Sequence, residues 1–369
     1  MKYCEEFRDG PTAQALVARL GTHTDRPVNL MEVCGTHTVA IFRHGIRGLL
    51  PANVNMLSGP GCPVCVTADA DLDKAIALAQ IPGVTLCTFG DMLRVPGSTS
   101  SLQQARARGA DVRIVYSPLD ALQLAAERPD RQVVFYAVGF ETTAPTVAAS
   151  ILEAKRRGLT NYTVASVHKV VPPALQALLT AREVHIDGFL MPGHVSAVIG
   201  SRPYEFVARD YGIPCVVGGF EPLDILLAID MLLAQIAAGE ARVEIAYRRA
   251  VRPEGNAAAL AAMAAAFTPV DADWRGIGMI PHSGLALQPA LSAFDTERRF
   301  PLSLEPAQAH PGCRCGEVLR GVARPPQCPL YGRACTPENP VGPCMVSFEG
   351  TCSAWYHYGR TPASEPAPA

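Results

Sequence analysis

The segment QVVFYAVGFETTAPTVAASILEAKRR, residues 132–157, runs from an apolar, β-branched stretch through a loop into a helical pattern. We predict a strand at Gln132–Val138, a loop at Gly139–Pro145 and a helix at Thr146–Arg157. Such a unit is typical of parallel sheets, because the helix carries the chain back to the start of the next strand. The segment therefore predicts an α/β fold.

The same pattern recurs on both sides of this segment. Eight strands are many for one sheet, so we predict two similar parallel-sheet α/β domains of roughly four strands each. A match between Val138-Gly-Phe-Glu141 and Gly218-Gly-Phe-Glu221 supports the duplication, since each stretch follows a strand and precedes a helix. The other predicted strands are Asn29–Val33, Val54–Leu57, Val84–Thr88, Val112–Tyr116, Tyr162–Val167, Gly188–Met191 and Cys215–Val217.

The composition divides the rest of the chain. We expect two long helices, 222–239 and 254–267, in a helical connection, followed by a cysteine-rich segment and a disordered Pro/Ala tail. The predicted units are a first α/β domain at 1–125, a second at 126–222, the helical connection at 223–300, an iron–sulfur domain at 301–360 and the tail at 361–369.

Charge and hydropathy exclude two classes of partner. There are 32 basic and 34 acidic residues, so the basic excess of a nucleic-acid-binding protein is absent. The longest uncharged apolar run, Ala257–Phe267, is too short to span a bilayer, and the first residues lack the apolar region of a secretory signal. We therefore expect a cytoplasmic protein with no nucleic-acid or membrane partner.

The twelve cysteines are the unusual feature of the composition. A cytoplasmic chain has little use for structural disulfides, so many cysteines indicate metal, cluster or redox chemistry. Six of them lie between Cys313 and Cys352, at spacings of 2, 13, 7, 9 and 8 residues, in a segment with little apolar periodicity. The scarcity of histidine there favours iron–sulfur over zinc, and a cluster with four thiolate ligands leaves two cysteines for redox chemistry.

Polar or thiol-bearing loops follow five of the predicted strands. Because the carboxyl ends of parallel strands meet at one edge of a sheet, these loops predict a shared cleft. The loops begin at Cys34, Gly59, Phe89, Gly139 and Pro192.

Cysteines in two of these loops are candidate reactive groups. Cys62-Pro-Val-Cys65 has the spacing of a redox pair or half a metal site, and a following helix would favour the thiolate form. Cys34 opens a Gly-Thr-His-Thr loop, so it is a candidate third thiolate ligand for a soft metal. The alternative is that all three are small buried hydrophobes.

Four further side chains are candidates in the same cleft. His37 is a ligand, a group supporting a ligand, or a helix cap or core histidine. His194 lies in Pro-Gly-His-Val, and Glu141 and Asp91 are candidates to orient it or to shuttle protons. Helix capping is the alternative role of these carboxylates, and the two roles are compatible.

Taken together, these motifs resemble the HypD family of hydrogenase maturation proteins over nearly the whole chain. The resemblance is carried by Met31–Thr38, Gly59–Cys65, Thr88–Gly97, Ala137–Pro145, Pro192–Val195 and the six-cysteine segment.

The resemblance implies a scaffold with redox activity rather than a turnover enzyme. Such a scaffold holds iron with a HypC chaperone while two cyanides and one carbon monoxide are attached. Cyanide comes from HypE, which carries a thiocyanate made with HypF, and the finished Fe(CN)2CO unit goes to the large subunit of a nickel–iron hydrogenase. The cleft residues implied are Cys34, Cys62, Cys65 and His194.

The resemblance also implies a [4Fe–4S] cluster, in a setting similar to ferredoxin:thioredoxin reductase, that supplies electrons through nearby thiols. Its ligands are implied to be Cys313, Cys328, Cys335 and Cys352, with Cys315 and Cys344 as an adjacent redox disulfide. Two alternatives remain. A thiol–disulfide oxidoreductase would use the CxxC pair and the cluster without needing Cys34, and a zinc-stapled binding module would be colourless.

Overall fold

The computed structural model describes residues 5–359. The predicted tail at 361–369 lies outside these residues. The strands are β1 Val28–Glu32, β2 Val54–Ser58, β3 Val84–Thr88, β4 Val112–Ile114, β5 Gln132–Ala137, β6 Tyr162–Ser166, β7 Gly188–Pro192, β8 Cys215–Gly218, β9 Val243–Ile245, β10 Phe267–Trp274 and β11 Gly278–Leu287. The helices are α1 Gly10–Leu20, α2 Gly35–Arg43, α3 Pro63–Val66, α4 Asp69–Ala79, α5 Leu102–Ala107, α6 Pro118–Glu127, α7 Ala144–Arg157, α8 Val171–Ala181, α9 Gly193–Ile199, α10 Glu205–Tyr211, α11 Pro222–Ala238, α12 Ala257–Ala266, α13 Thr296–Arg299, α14 Cys315–Leu319, α15 Pro343–Val346 and α16 Thr351–Tyr358.

Two parallel sheets form the framework, which confirms the α/β fold class. One sheet has five strands in the order β2-β1-β7-β8-β9, and the other has four in the order β4-β3-β5-β6. All eight predicted strands are present. Nearly every residue of β5 and β7 is buried, as expected for parallel strands covered by helices on both faces.

The strands of the two sheets interleave along the chain, which differs from the expected division at residue 125. β1 and β2 lie in one sheet with β7 and β8, while β3 and β4 lie in the other with β5 and β6. The four-stranded sheet is therefore inserted between β2 and β7. The order of strand–loop–helix units does not reveal this arrangement, because β1 and β7 are far apart in sequence and their pairing depends on tertiary packing.

A β-hairpin replaces part of the helical connection predicted at 223–300. The helices α11 and α12 are confirmed, but β9 joins the five-stranded sheet and β10 and β11 form an antiparallel pair. Phe267 and Leu285 pack in the core of the four-stranded sheet, whereas Trp274 and Ile280 pack with the core that contains Phe189. The hairpin therefore joins the cores of the two sheets.

The cysteine-rich segment, residues 313–358, contains the short helices α14, α15 and α16 and one 3-10 turn at Pro325–Gln327. It docks where the two sheets meet. Cys315 and Cys344 are buried with Cys65, Val346 enters the core beside β3, and Trp355 of α16 packs on Phe42 of α2 with ring centroids 5.1 Å apart. Within residues 5–359, no helix is both long and apolar enough to cross a membrane.

Candidate functional site

Three loops meet at the carboxyl edge of the five-stranded sheet. Cys34 follows β1 and immediately precedes α2, Cys62 follows β2 and precedes α3, and His194 is the second residue of α9 after β7. The first two loops touch through Gly61, whose carbonyl accepts a hydrogen bond from Gly35 N at 2.9 Å. A Cβ on Gly61 would lie 2.2 Å from Cys34 N, so only glycine permits this close approach.

These loops border a cleft of about 410 Å³. Cys34, Thr36 and His194 line one side of it, and the loop after β5 closes it with Phe140 and Thr142. The cysteine-rich segment contributes Glu349, whose Oε1 accepts a hydrogen bond from Thr36 Oγ1 at 2.7 Å. Four of the five predicted loops therefore contribute to one cleft.

The fifth loop, which follows β3, serves the cysteine-rich segment instead. The Arg94 guanidinium donates to the carbonyls of Pro337 and Val346 at 3.1 and 3.2 Å. Asp91, in the turn Gly90–Leu93, does not line the cleft, but its charge contributes to raising the pKa of Glu349, which burial raises most.

The cleft thiols are buried, and burial governs their protonation. It raises the pKa of Cys34 to about 12, with a smaller contribution from the nearby Glu349 carboxylate. Cys62 Sγ accepts a hydrogen bond from Cys65 N at 3.3 Å, but burial raises the pKa of Cys65 well above its usual value. The expectation that a helix beginning near Thr67–Asp71 favours the thiolate form is wrong for Cys65: α4 does begin at Asp69, but burial has the larger effect on the thiol pKa.

Two histidines are held against one aromatic ring. His194 stacks on Phe220 with centroids 3.9 Å apart, and His37 lies 4.7 Å from the same ring. His37 is fully buried and its Nε2 donates to Gly219 O at 2.8 Å, so it supports the site from behind and does not line the cleft. Burial lowers the pKa of His37 to about 4 and also lowers that of His194, so both rings are neutral at pH 7.

The predicted carboxylate Glu141 caps a helix. It is fully buried, its Oε1 accepts from Val171 N at the start of α8, and its Oε2 has no hydrogen-bond partner within residues 5–359. Burial raises its pKa to about 7. No hydrogen bond links it to His194 in the described part of the chain.

Two carboxyl groups beside Cys34 were not predicted. Glu32 ends β1 and accepts hydrogen bonds from Cys34 N at 3.1 Å and Thr38 Oγ1 at 2.6 Å, and burial raises its pKa to about 8. A carboxylate inside an apolar strand, two residues before Cys34, was the available signal. For Glu349 the only signal in the sequence was its place in the Phe-Glu-Gly stretch before Cys352.

The CxxC pair contacts the cysteine-rich segment directly. Cys62, Cys65, Cys315 and Cys344 are buried in one hydrophobic cluster, and Cys313 and Cys352 pack against it. All eleven described cysteines are free thiols, so Cys315 and Cys344 are adjacent but not bonded. These contacts form a continuous path of thiols from the back of the cleft into the segment.

The four implied cluster ligands lie in the same segment. Burial raises the pKa of Cys335, and the neighbouring Cys352 and Cys313 raise it further. Hydrogen bonds from backbone amides to the Cys335 sulfur lower the same pKa. Val341 N donates to Cys335 Sγ at 3.3 Å, and Cys328 Sγ contacts Gly312 O beside Cys313. Within residues 5–359 no three metal-binding side chains converge into a finished site. The donors suit a cluster chemically, since four thiols and an amide-to-sulfur hydrogen bond are typical of [4Fe–4S] sites.

Comparison with known proteins identifies the family of this chain. The family model HypD, described as "Hydrogenase formation hypA family", matches residues 11–359. Hydrogenase maturation factor HypD of Azotobacter vinelandii is 51% identical, with 98% of this chain and 97% of that protein covered. The corresponding proteins of Cupriavidus necator and Escherichia coli K12 are 48% and 47% identical, covering 98% and 97% of this chain and 98% of each relative. The chain therefore belongs to the HypD family.

Proposed function

We propose that this chain is a hydrogenase maturation factor that holds iron at Cys34 while the ion acquires its cyanide and carbon monoxide ligands. The observation that carries the proposal is the meeting of Cys34 and His194 in one cleft, with the CxxC pair behind it. The iron here is cargo, which the protein later releases toward a hydrogenase large subunit.

The surroundings of Cys34 suit a transient iron ligand. A thiolate is a soft donor for iron bearing diatomic ligands. Since the pKa of Cys34 is about 12, the free thiol is protonated and unreactive at neutral pH. Iron binding must displace that proton, and His194, neutral and lining the same cleft, has a lone pair that can accept it or bind the ion.

The thiol path supports a supply of electrons to this cleft. We propose that Cys313, Cys328, Cys335 and Cys352 hold a [4Fe–4S] cluster, which supplies one-electron chemistry when bound. Cys315 and Cys344 are the proposed dithiol between this ligand set and Cys65. Both are buried in the cluster that contains Cys65, as a dithiol that passes electrons toward the CxxC pair requires.

The proposed partners are a HypC-type chaperone and a HypE-type cyanide donor, both acting at the open side of the cleft. A cytoplasmic location is part of the proposal, because eleven free thiols suit a reducing compartment. The proposed role is that of an assembly scaffold with redox activity.

A thiol–disulfide oxidoreductase is the second candidate function. The direct contact between Cys65 and Cys344 favours it, because electrons could pass along the thiols without any role for Cys34. The two proposals differ in what they require of Cys34.

Maturation of a hydrogenase in a host that lacks its own HypD-type protein distinguishes the scaffold from the oxidoreductase. We expect Cys34→Ser and Cys62→Ala to abolish processing of the hydrogenase large subunit. Cys215→Ser and Cys87→Ser are matched controls, because both thiols are buried in strands away from the cleft, and both variants should support maturation. Loss with Cys62→Ala but normal maturation with Cys34→Ser would favour the oxidoreductase.

A further inference from the structure

A second cavity of about 260 Å³ lies in the four-stranded half of the molecule. It is bordered by α4, by the ends of β5 and β6 and by residues 296–302, and none of its lining residues lines the Cys34 cleft. We call it the Tyr136 pocket. At ~30 Å³ for each water, it has room for roughly nine small non-hydrogen atoms or waters.

A buried hydroxyl in this pocket lacks a partner. Tyr136 is 1% exposed, lines the pocket, and its Oη makes no hydrogen bond within residues 5–359. An unpartnered buried hydroxyl costs free energy, roughly 1–3 kcal/mol. Tyr162 on the neighbouring strand shows the ordinary arrangement, since its hydroxyl lies 2.9 Å from Ser150 Oγ. The Tyr136 hydroxyl therefore keeps a donor hydrogen that no group within residues 5–359 accepts.

The charged groups around the pocket occur as pairs of opposite sign. Asp71 faces the buried Lys169 through Oδ2 at 3.4 Å, and Lys74 pairs with Glu297 at 2.7 Å. These charges sum to zero, so the pocket offers no unpaired charge to balance that of a charged ligand. Asp71 Oδ1 keeps its acceptor capacity and can take a hydrogen bond from a ligand N–H.

The two remaining polar side chains, Ser166 and Thr296, are already used, since Thr296 Oγ1 donates to Thr163 Oγ1 at 3.0 Å. Ser166 Oγ donates to Leu285 O at 2.7 Å and lies 3.1 Å from His168 Nδ1, which leaves it little capacity for a ligand. The other walls are mainly apolar and include Leu78, Phe300 and Leu302. Such walls suit a small, flat, apolar body.

We propose that the Tyr136 pocket binds a small uncharged molecule with an amide-type edge, in which a hydrogen-bond acceptor stands beside an N–H donor. The acceptor of the ligand accepts a hydrogen bond from the Tyr136 hydroxyl, and its N–H group donates one to Asp71. This site is separate from the Cys34 cleft and does not depend on the function proposed for it.

Saturation-transfer NMR on the full chain tests this proposal with benzamide and benzoate. The two probes have the same shape, but benzoate replaces the N–H donor with a negative charge. We expect transfer to benzamide and little to benzoate. Tyr136→Phe should weaken benzamide binding about tenfold, the effect of losing ~1.4 kcal/mol, whereas the matched Tyr162→Phe should bind it as the wild type does.

The stability of the same variants provides a second readout. Tyr136→Phe removes an unpartnered hydroxyl, so its urea midpoint should equal or exceed that of the wild type, while Tyr162→Phe should fall below it. The proposal is overturned by absent transfer to benzamide, by equal transfer to both probes, or by benzamide binding unchanged in Tyr136→Phe. A Tyr136→Phe protein as destabilised as Tyr162→Phe would also overturn it, since the hydroxyl would then already have a partner inside the protein.

Discussion

The cysteines with a proposed function lie in two regions that are held in different ways. Cys34 and Cys62 lie in the loops after β1 and β2, whose pairing runs in register from Val28–Val54 to Glu32–Ser58. Cys313 to Cys352 lie in a segment with three short helices, which docks through a few buried side chains. The sheet fixes the first set without metal, whereas the second set depends on its docking and on its proposed metal ligands.

The largest expected effect comes from removing a proposed cluster ligand. Cys328→Ala should abolish the brown colour of the protein and loosen residues 313–358, because that segment has little apolar core of its own. Hydrogen exchange should rise at least ~10-fold there, following loss of metal-coupled stability, and stay unchanged in β1 and β2. Cys87→Ala serves as the control. A coloured variant with wild-type exchange would remove Cys328 from the ligand set.

The second-largest effect should come from disturbing the close contact between the Cys34 loop and the Cys62 loop at Gly61. In Gly61→Ala the new Cβ would lie 2.2 Å from Cys34 N, so one loop must move. We expect a loss of about 3 kcal/mol in the free energy of unfolding, in the range of overpacking and backbone strain. Gly48→Ala is the matched control, because nothing lies within 4 Å of its Cβ. Equal urea midpoints for the two variants would contradict the close approach.

A pH dependence of stability should come from Glu141. Burial raises its pKa from 4.5 to about 7, so the folded state favours the neutral form. Its contribution is full below pH 4.5 and is lost as the pH rises through 7, on the order of 3 kcal/mol at 1.36 kcal/mol per unit. Glu141→Gln should reduce the fall measured by urea unfolding between pH 5 and pH 7.5, and leave the part that comes from Glu32, whose pKa burial raises to about 8. The same fall in both proteins would assign the pH dependence to another group.

The smallest effect should come from removing the hydrogen bond that joins the two regions, from Thr36 to Glu349. Thr36→Val removes the hydrogen bond to Glu349 and should cost about 1 kcal/mol in the free energy of unfolding. Thr180→Val, which alters an exposed helix hydroxyl, should be close to neutral. If the two variants are equally stable, Thr36 does not help to dock the cysteine-rich segment.

The strands could be predicted because each is a short apolar stretch between helical patterns. Their division between two sheets could not, since nothing local to β1 specifies β7 as its neighbour. The hairpin was missed for a different reason. The alanine-rich run at 257–266 reads as helix up to Phe267, and the alternating burial of β10 begins at that residue.

The candidate site was predictable where chemistry follows a strand. Cys34 and His194 are such residues, and both line the cleft. Glu349 reaches the cleft only because a distant segment docks there, so its spacing carried no information. The direction of the Cys65 pKa shift was missed because the sequence suggested a helix end but did not reveal complete burial.

Infrared absorption of the anaerobic complex with the HypC-type chaperone tests the central claim most directly. The wild type and Cys215→Ser should show cyanide and carbonyl stretching bands, whereas folded Cys34→Ser should show none. Serine is a poor ligand for soft iron, and its hydroxyl alone should leave the fold intact. Bands at wild-type intensity in Cys34→Ser would contradict the assignment of Cys34 as the iron ligand.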